Sequence, residues 1–312
     1  MKHIFIINPA AGKKNCTTEL MEMAKKLEIN HGIETECILT KSVGHACETV
    51  RSIAQTGEAV RFYACGGDGT INEVANGIAG FENAAMTCIP VGTGNDFLKN
   101  FGDKAELFAD AENLWDGPQF SLDAIECNGR LALTIACSGF DAQVAEDVHK
   151  FGKSPLLSGM GSYVASIAVN FFARSFGNRW KVSVSGRDLS GDYAVLAVCN
   201  GRYYGGGFNP VAEARMDDGM LNALLVKKIS RPQFLRFVSL YAKGEYYKLP
   251  DFATCIPTRE VTIESADDRD IVTCLDGEII HSKHITMRLS DRKINFFGPA
   301  GCDANATYRP LP

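Results

Sequence analysis

Over roughly the first hundred positions, short apolar runs alternate with stretches whose apolar residues recur at helical spacing. Ile4 to Ile7, Glu34 to Thr40, Val60 to Cys65 and Met86 to Val91 predict strands. Between them, helices are predicted by Leu20, Met23, Ala24 and Leu27, by Ala46, Val50, Ile53 and Ala54, and by Val74, Ala75 and Ile78. This alternation implies βαβ units and a largely parallel sheet. A further helix is expected from about Ala105 to Trp115, where Asp116-Gly117-Pro118 ends it.

After Phe120 the period changes. Leu122 to Cys127 and Leu131 to Cys137 flank Asn128-Gly129, a strong signal for a tight hairpin. Trp180, Val182 and Val184 alternate with polar neighbours, and Tyr193 to Cys199 reads as the returning strand. Leu221 to Val226, Glu260 to Glu264, Ile271 to Leu275 and Ile285 to Leu289 continue the strand pattern, with helices expected at Ser162 to Arg174 and Pro232 to Lys243. The expected fold is therefore α/β plus all-β. A parallel-sheet α/β nucleotide-binding domain would cover 1–120, and an antiparallel β-sandwich would cover 121–291. Residues 292–312 are assigned to the first domain, although Ile294 to Pro299 would also serve as the last strand of the sandwich.

Composition narrows the functional classes. The 312 residues are 46% apolar and 22% charged, which is ordinary for a globular chain of two domains. A net charge of −5 argues against a general nucleic-acid binder. The 11 cysteines are scattered and no C-x-x-C occurs, which fits buried thiols in a reducing cytosol rather than a disulfide framework or zinc site. The first apolar run is too short for a signal peptide, and Tyr163 to Ala173 is far short of a membrane span. A cytoplasmic protein is expected, at most peripheral at the inner face of the membrane.

The candidate chemistry lies where strands end. Gly66-Gly67-Asp68-Gly69-Thr70-Ile71-Asn72-Glu73 follows the third strand and opens a helix, with Thr70 and Glu73 at capping-box spacing. A glycine turn at that place in a parallel sheet offers backbone N–H groups and a helix dipole to an anion such as phosphate. Three more polar turns share that edge: Asn8-Pro9-x-x-Gly12, Thr40-x-x-x-Gly44-His45 and Gly92-Thr93-Gly94-Asn95-Asp96. A P-loop and a G-x-G-x-x-G fingerprint are both missing. Gly205-Gly206-Gly207 reads as a bulge or loop, and His281 and His284 point to opposite faces if they lie on one strand.

Asn8-Pro9-x-x-Gly12, Gly66-Gly67-Asp68-Gly69-Thr70-x-Asn72-Glu73 and Pro90-x-Gly92-Thr93-x-Asn95-Asp96-Phe97 resemble the bacterial diacylglycerol kinase family, which includes sphingosine and ceramide kinases. Gly139-Phe140-Asp141-Ala142, Asp217-Asp218-Gly219-x-Leu221 and Leu275-Asp276-Gly277-Glu278 resemble its later blocks. The resemblance implies that Asn8, Pro9, Gly12, Thr40, Gly66, Gly67, Asp68, Gly69, Thr70, Asn72, Glu73, Thr93 and Asn95 hold ATP. Asp218 would bind magnesium, helped by the carbonyls of Arg215 and Met220. Asp276 and Glu278 would lie beside the acceptor hydroxyl, and the proton acceptor would be one of these or Asp68. Without the resemblance, Asp217-Asp218-Gly219 and Asp276-Gly277-Glu278 read equally well as ordinary turns.

The implied activity is ATP- and magnesium-dependent phosphorylation of a membrane lipid, diacylglycerol first, with the active site between the domains. Sphingoid bases, ceramide and phosphatidylglycerol are the other lipids considered. An NAD kinase and a silent lipid-binding protein are the rivals. Peripheral contact with the bilayer is expected, with Tyr163, Val164, Ile167, Phe171 and Phe172 as either core or the wall of a lipid cleft. Lys150, Lys153, Arg174, Arg179 and Lys181 around them are either a solvated rim or a contact with anionic lipid. No nucleic-acid partner is expected, and the reading admits a homodimer.

Overall fold

The computed structural model describes residues 1–12, 14–92, 95–151 and 177–312. Thr93 and the helix expected at Ser162 to Arg174, with its aromatic face and the cations Lys153 and Arg174, lie outside the described residues. Contacts divide the chain into one unit of 1–124 with 290–307, and a second of 125–289 with 308–312.

In the first unit β1 (Lys2–Ile7), β2 (Thr35–Leu39), β3 (Val60–Gly66) and β4 (Ala84–Pro90) are parallel. Ile4 to Ile7 and Phe62 to Cys65 are buried throughout, as strands covered on both faces must be. The sheet ends with β5 (Gln119–Leu122) and the C-terminal β18 (Ile294–Phe297), in the order β2-β1-β3-β4-β18-β5. Thus Ile294 to Phe297 returns to the first sheet, parallel to β4 and antiparallel to β5. Its Phe296 ring sits 5.4–5.6 Å from the rings of Phe97, Phe101 and Phe120, which anchors the return. The last five residues group with the second unit, where the Arg309 amide donates to the carbonyl of Ala212 at 2.9 Å.

The helices α1 (Thr17–His31), α2 (His45–Ala54) and α3 (Asp68–Ile78) connect the parallel strands. Leu20, Ala24 and Leu27 give α1 its buried stripe, and Ala46, Val50 and Ala54 give α2 its own. The α-helix expected from Ala105 to Trp115 is replaced by 3-10 turns at Phe97–Ala109 and Ala111–Asn113. Gly102 (φ 56°) breaks the first, and extended Asp110 separates the two and caps the second by accepting from the Glu112 amide at 3.1 Å. Packing of Phe97, Phe101 and Phe108 fixes this segment, so local helical spacing is overridden.

Where α2 crosses α3, a Cβ on Gly77 would fall 2.0 Å from Val50 Cγ2 and 2.8 Å from the Cys47 carbonyl oxygen. Overpacking costs about 1–3 kcal/mol. That exceeds the ~1 kcal/mol by which alanine outdoes glycine in a helix. Gly77→Ala should therefore lower the melting temperature, despite the better helix former. An unchanged or raised midpoint would show that the crossing can relax.

His3 supplies a pH-dependent part of this unit's stability. It is buried, its Nδ1 lies 2.9 Å from the Tyr63 hydroxyl, and burial lowers its pKa from 6.5 to about 4. Between those values the unfolded chain binds a proton that the folded chain does not, so stability falls as the pH drops through that window. From pH 7.5 to 5 the loss should be about 2 kcal/mol. Urea unfolding of the wild type and His3→Gln isolates it. The gap between the two proteins should narrow toward acid, and a constant gap would refute the assignment.

The second unit is antiparallel. Its described strands are β6 (Ile125–Cys127), β7 (Arg130–Ala132), β8 (Ile135–Gly139), β9 (Asn178–Val184), β10 (Arg187–Asp188), β11 (Gly191–Cys199), β12 (Leu221–Lys227), β13 (Ala253–Thr258), β14 (Glu260–Ser265), β15 (Ile271–Leu275), β16 (Glu278–Ser282) and β17 (His284–Leu289). They run in the order β16-β15-β8-β11-β9-β14-β17-β6-β7, with β12 and β13 continuing from β11 and β10 on β9. Asn128-Gly129 is the β6–β7 turn, as its sequence predicts. Two apolar cores flank this curled sheet. One gathers around Trp180, Leu196, Val261 and Met287; the other packs α4 (Phe140–Phe151) and α5 (Arg231–Tyr241) through Phe140, Phe234 and Phe237.

All 11 cysteines are free thiols, six of them buried. Burial holds Cys37 up at about 11 and Cys127 at about 12, so these remain protonated at neutral pH.

Candidate active site

Turns after β1, β2 and β3 meet at a cavity of about 340 Å³ lined by Asn8, Pro9, Thr40, Thr70 and Glu73, together with Lys41, Ser42 and Val43. Parallel strands end here together, so side chains far apart in sequence are neighbours. Asn8 organises the first turn: its Oδ1 accepts from the Ala10 amide at 3.0 Å, and its Nδ2 donates to Thr70 Oγ1 at 3.2 Å. Gly12 (φ 77°) closes it so near β4 that a Cβ would lie 2.4 Å from the Val91 carbonyl oxygen. Thr40 is fixed by its amide donating to the Ile7 carbonyl at 2.8 Å.

Thr70 and Glu73 do not form the capping box that their spacing predicts. The α3 helix begins at Asp68 with Gly67 as its N-cap, so Thr70 is already inside the first turn. The Glu73 carboxylate instead accepts from the Gly44 amide at 2.9 Å and the Ala46 amide at 3.1 Å, which ties α3 to the start of α2. Asn72 is buried, and its backbone and side-chain oxygens accept from Asn76 at 2.9 and 3.0 Å.

The turn after β4 is bound to the glycine turn. Gly66 O accepts from the amides of Val91 at 3.0 Å and Gly92 at 3.3 Å. Asp68 accepts from the Asp96 amide at 3.1 Å and the Phe97 amide at 3.2 Å. Asn95 (φ 47°) donates from Nδ2 to the Gly92 carbonyl at 2.9 Å. Gly69 lies in the first turn of α3 with open space around its Cα. Of the nucleotide-site residues named from sequence, Asn8, Pro9, Thr40, Thr70 and Glu73 line the cavity, while Gly12, the Gly66–Gly69 turn and Asn95 belong to the turns around it and Asn72 is buried behind. Sequence reading did not single out Lys41 or Ser42, whose only signal is membership of the Thr40–Gly44 turn.

In the second unit Asp276 and Gly277 form a two-residue turn joining β15 to β16, with φ of 46° and 99°. The Asp276 carboxylate accepts from the amides of Leu133 (2.5 Å), Thr134 (3.0 Å) and Ile135 (3.0 Å), and from Thr134 Oγ1 (2.5 Å). It anchors the β7–β8 connection. Glu278 opens β16 opposite Leu275, half-buried, and its carboxylate has no hydrogen-bond partner among the described residues.

Asp218 lies in an exposed turn, where it accepts from the Met220 amide at 3.0 Å. Arg215 reaches Asp217 at 3.3 Å and lies over the Tyr308 ring. Among the described residues no three His, Cys, Asp or Glu side chains gather as a metal cluster. His281 approaches Glu146 at 3.4 Å and His284 lies 3.3 Å from Thr286, so this pair shares no ligand site. Asp141 is half-buried where α4 begins, and loss of solvent raises its pKa from the ordinary aspartate value. Both Tyr204 and Tyr241 donate to it at 2.5 Å, which makes it a structural polar centre.

Residues 2–127 match the family described as "Diacylglycerol kinase catalytic domain", and residues 134–297 match the "YegS C-terminal NAD kinase beta sandwich-like domain". A probable lipid kinase, YegS-like, from Pseudomonas aeruginosa is 30% identical over 299 residues, which is 92% of each chain. The diacylglycerol kinase of Bacillus subtilis is 27% identical over 243 residues, 77% of this chain and 78% of that one. A crystal structure of a diacylglycerol kinase from Bacillus anthracis superposes with a TM-score of 0.67 at 19% identity, covering 95% of this chain and 96% of that one, a likeness of fold. The chain belongs to the diacylglycerol kinase/YegS family of lipid kinases. It is therefore an ATP-using enzyme acting on lipid.

Proposed function

We propose that the enzyme transfers the γ-phosphoryl group of ATP, with magnesium, to a hydroxyl of a membrane lipid, and that diacylglycerol is the acceptor, giving phosphatidic acid. The observation that carries the nucleotide half is the cavity where Asn8, Thr40 and Thr70 converge beside the N-terminal ends of α2 and α3. The Gly67–Gly69 backbone and the α3 dipole there favour a polyphosphate without a P-loop, the amides of Gly44 and Ala46 at the start of α2 being taken by Glu73. Glu73 and Asp68 act in this reading by holding the turns in register.

The donor set at Asp218 fits magnesium. One exposed carboxylate, with the carbonyls of Arg215 and Met220 available in the same loop, suits a small hard ion that keeps several waters, whereas zinc would need a closed cluster. When bound, magnesium supplies charge neutralisation of the phosphates.

For the acceptor we assign Glu278 as the group that orients the hydroxyl and takes its proton, and Asp276 as the anchor of its turn. Four donors already fill the Asp276 carboxylate, whereas that of Glu278 is available among the described residues.

The test is an acceptor panel of diacylglycerol, ceramide, a sphingoid base, phosphatidylglycerol and NAD with labelled ATP and magnesium. Label in phosphatidic acid is expected. Label on another lipid would reassign the acceptor. Label on NAD alone, or on nothing, would overturn the proposal.

A further inference from the structure

Residues 227–248 carry Lys227, Lys228, Arg231, Arg236, Lys243 and Lys248 against the single acid Glu245, a local charge of +5 in a chain of −5. Glu245 is taken by Lys248 at 2.9 Å. Among the described residues, no carboxylate lies within ion-pair distance of Lys227, Lys228, Arg236 or Lys243. So positive a stretch in an acidic protein is a local electrostatic feature and does not follow from composition.

The α5 helix within this stretch is amphipathic in an unusual sense. Phe234, Phe237 and Tyr241 are buried in the core, so the opposite arc carries Leu235, Arg236 and Ser239 outward. Leu235 is 61% exposed. A leucine in water beside a cation gains nothing from the fold. At a bilayer surface it enters the acyl boundary while the guanidinium and ammonium groups stay with the lipid phosphates. The start of the helix is preformed for this by Pro232 and by Gln233 Oε1, which accepts from the Ser230 amide and hydroxyl at 2.8 Å each.

We propose that the outward face of α5, with Lys227 and Lys228 at the end of β12, docks the enzyme on an anionic bilayer. The choice of a bilayer over another polyanion rests on the lipid acceptor of the kinase reading and on Leu235, for which a nucleic acid has no use. Of the cations flanking residues 152–176, Lys181 is paired with Glu264 at 2.8 Å.

The test is co-sedimentation of the purified protein, without ATP, with vesicles of phosphatidylcholine alone or mixed with phosphatidylglycerol. Binding is expected to the mixed vesicles, weakening as salt is raised. The double variant Leu235→Glu/Arg236→Glu should lower partitioning by about tenfold or more, since each basic residue near the surface contributes several-fold. Lys227→Glu/Lys228→Glu should do the same from outside the helix, and an unchanged melting temperature excludes unfolding. Equal binding to both vesicle types, variants that bind like the wild type, or a preference for duplex DNA over vesicles would overturn the proposal. Because neither ATP nor acceptor is present, the two readings fail separately. Vesicle binding by a protein that phosphorylates no lipid sinks the acceptor and leaves the surface. Phosphorylation of detergent-dispersed lipid by a protein that ignores vesicles does the reverse.

Discussion

Glu278→Gln is expected to lower kcat by about 10²- to 10⁴-fold, the usual contribution of a positioned acid or base. The affinity for ATP should stay unchanged. The substitution keeps the size and shape of the side chain, removes only its charge and basicity, and disturbs no hydrogen bond among the described residues. Melting temperature and ATP titration should therefore match the wild type, leaving turnover as the single property that changes. A kcat within a fewfold of the wild type would remove Glu278 from the chemistry and direct attention to Asp68. That carboxylate already serves two backbone amides, at 3.1 and 3.2 Å.

Asp276→Ala is expected to fail differently, through the fold. Three amides and one hydroxyl of Leu133, Thr134 and Ile135 would lose their acceptor at once. Each unsatisfied donor costs about 1–3 kcal/mol, so even with partial access of water the loss should reach roughly 3–5 kcal/mol. Asp276→Asn should fall between. Asparagine tolerates the positive φ of 46°, but its NH₂ must face a backbone donor. Turnover should drop in both, because Glu278 is held by the same two-residue turn. Chemical unfolding at neutral pH reads the difference directly. A wild-type unfolding midpoint for Asp276→Ala would show that the four contacts hold nothing in place.

These two carboxylates show how far the sequence reading reached. The turn at Asp276-Gly277 was legible, as was the one at Asn128-Gly129, because such dipeptides favour tight hairpins. The division of labour between Asp276 and Glu278 was not, because it depends on where the β7–β8 connection lies, more than 140 positions earlier. Likewise β1 and β3 were plain from their apolar runs. The insertion of β18 between β4 and β5 follows from aromatic packing that no local pattern encodes. Glu73 is the clearest case at the nucleotide site. Its spacing from Thr70 has the form of a cap for its own helix, while its carboxylate serves the next one, at Gly44 and Ala46. Local spacing identified which residues matter; partners distant in sequence decided what each one does.

Phosphoryl transfer from ATP to a lipid hydroxyl can be read in a single assay. γ-Labelled ATP is incubated with the purified enzyme and diacylglycerol in mixed micelles, with magnesium or with a chelator, and label is counted in the extracted lipid. Label is expected in phosphatidic acid and should require both magnesium and Glu278. Label that stays entirely in the aqueous phase, with magnesium present and the protein folded, would contradict that transfer.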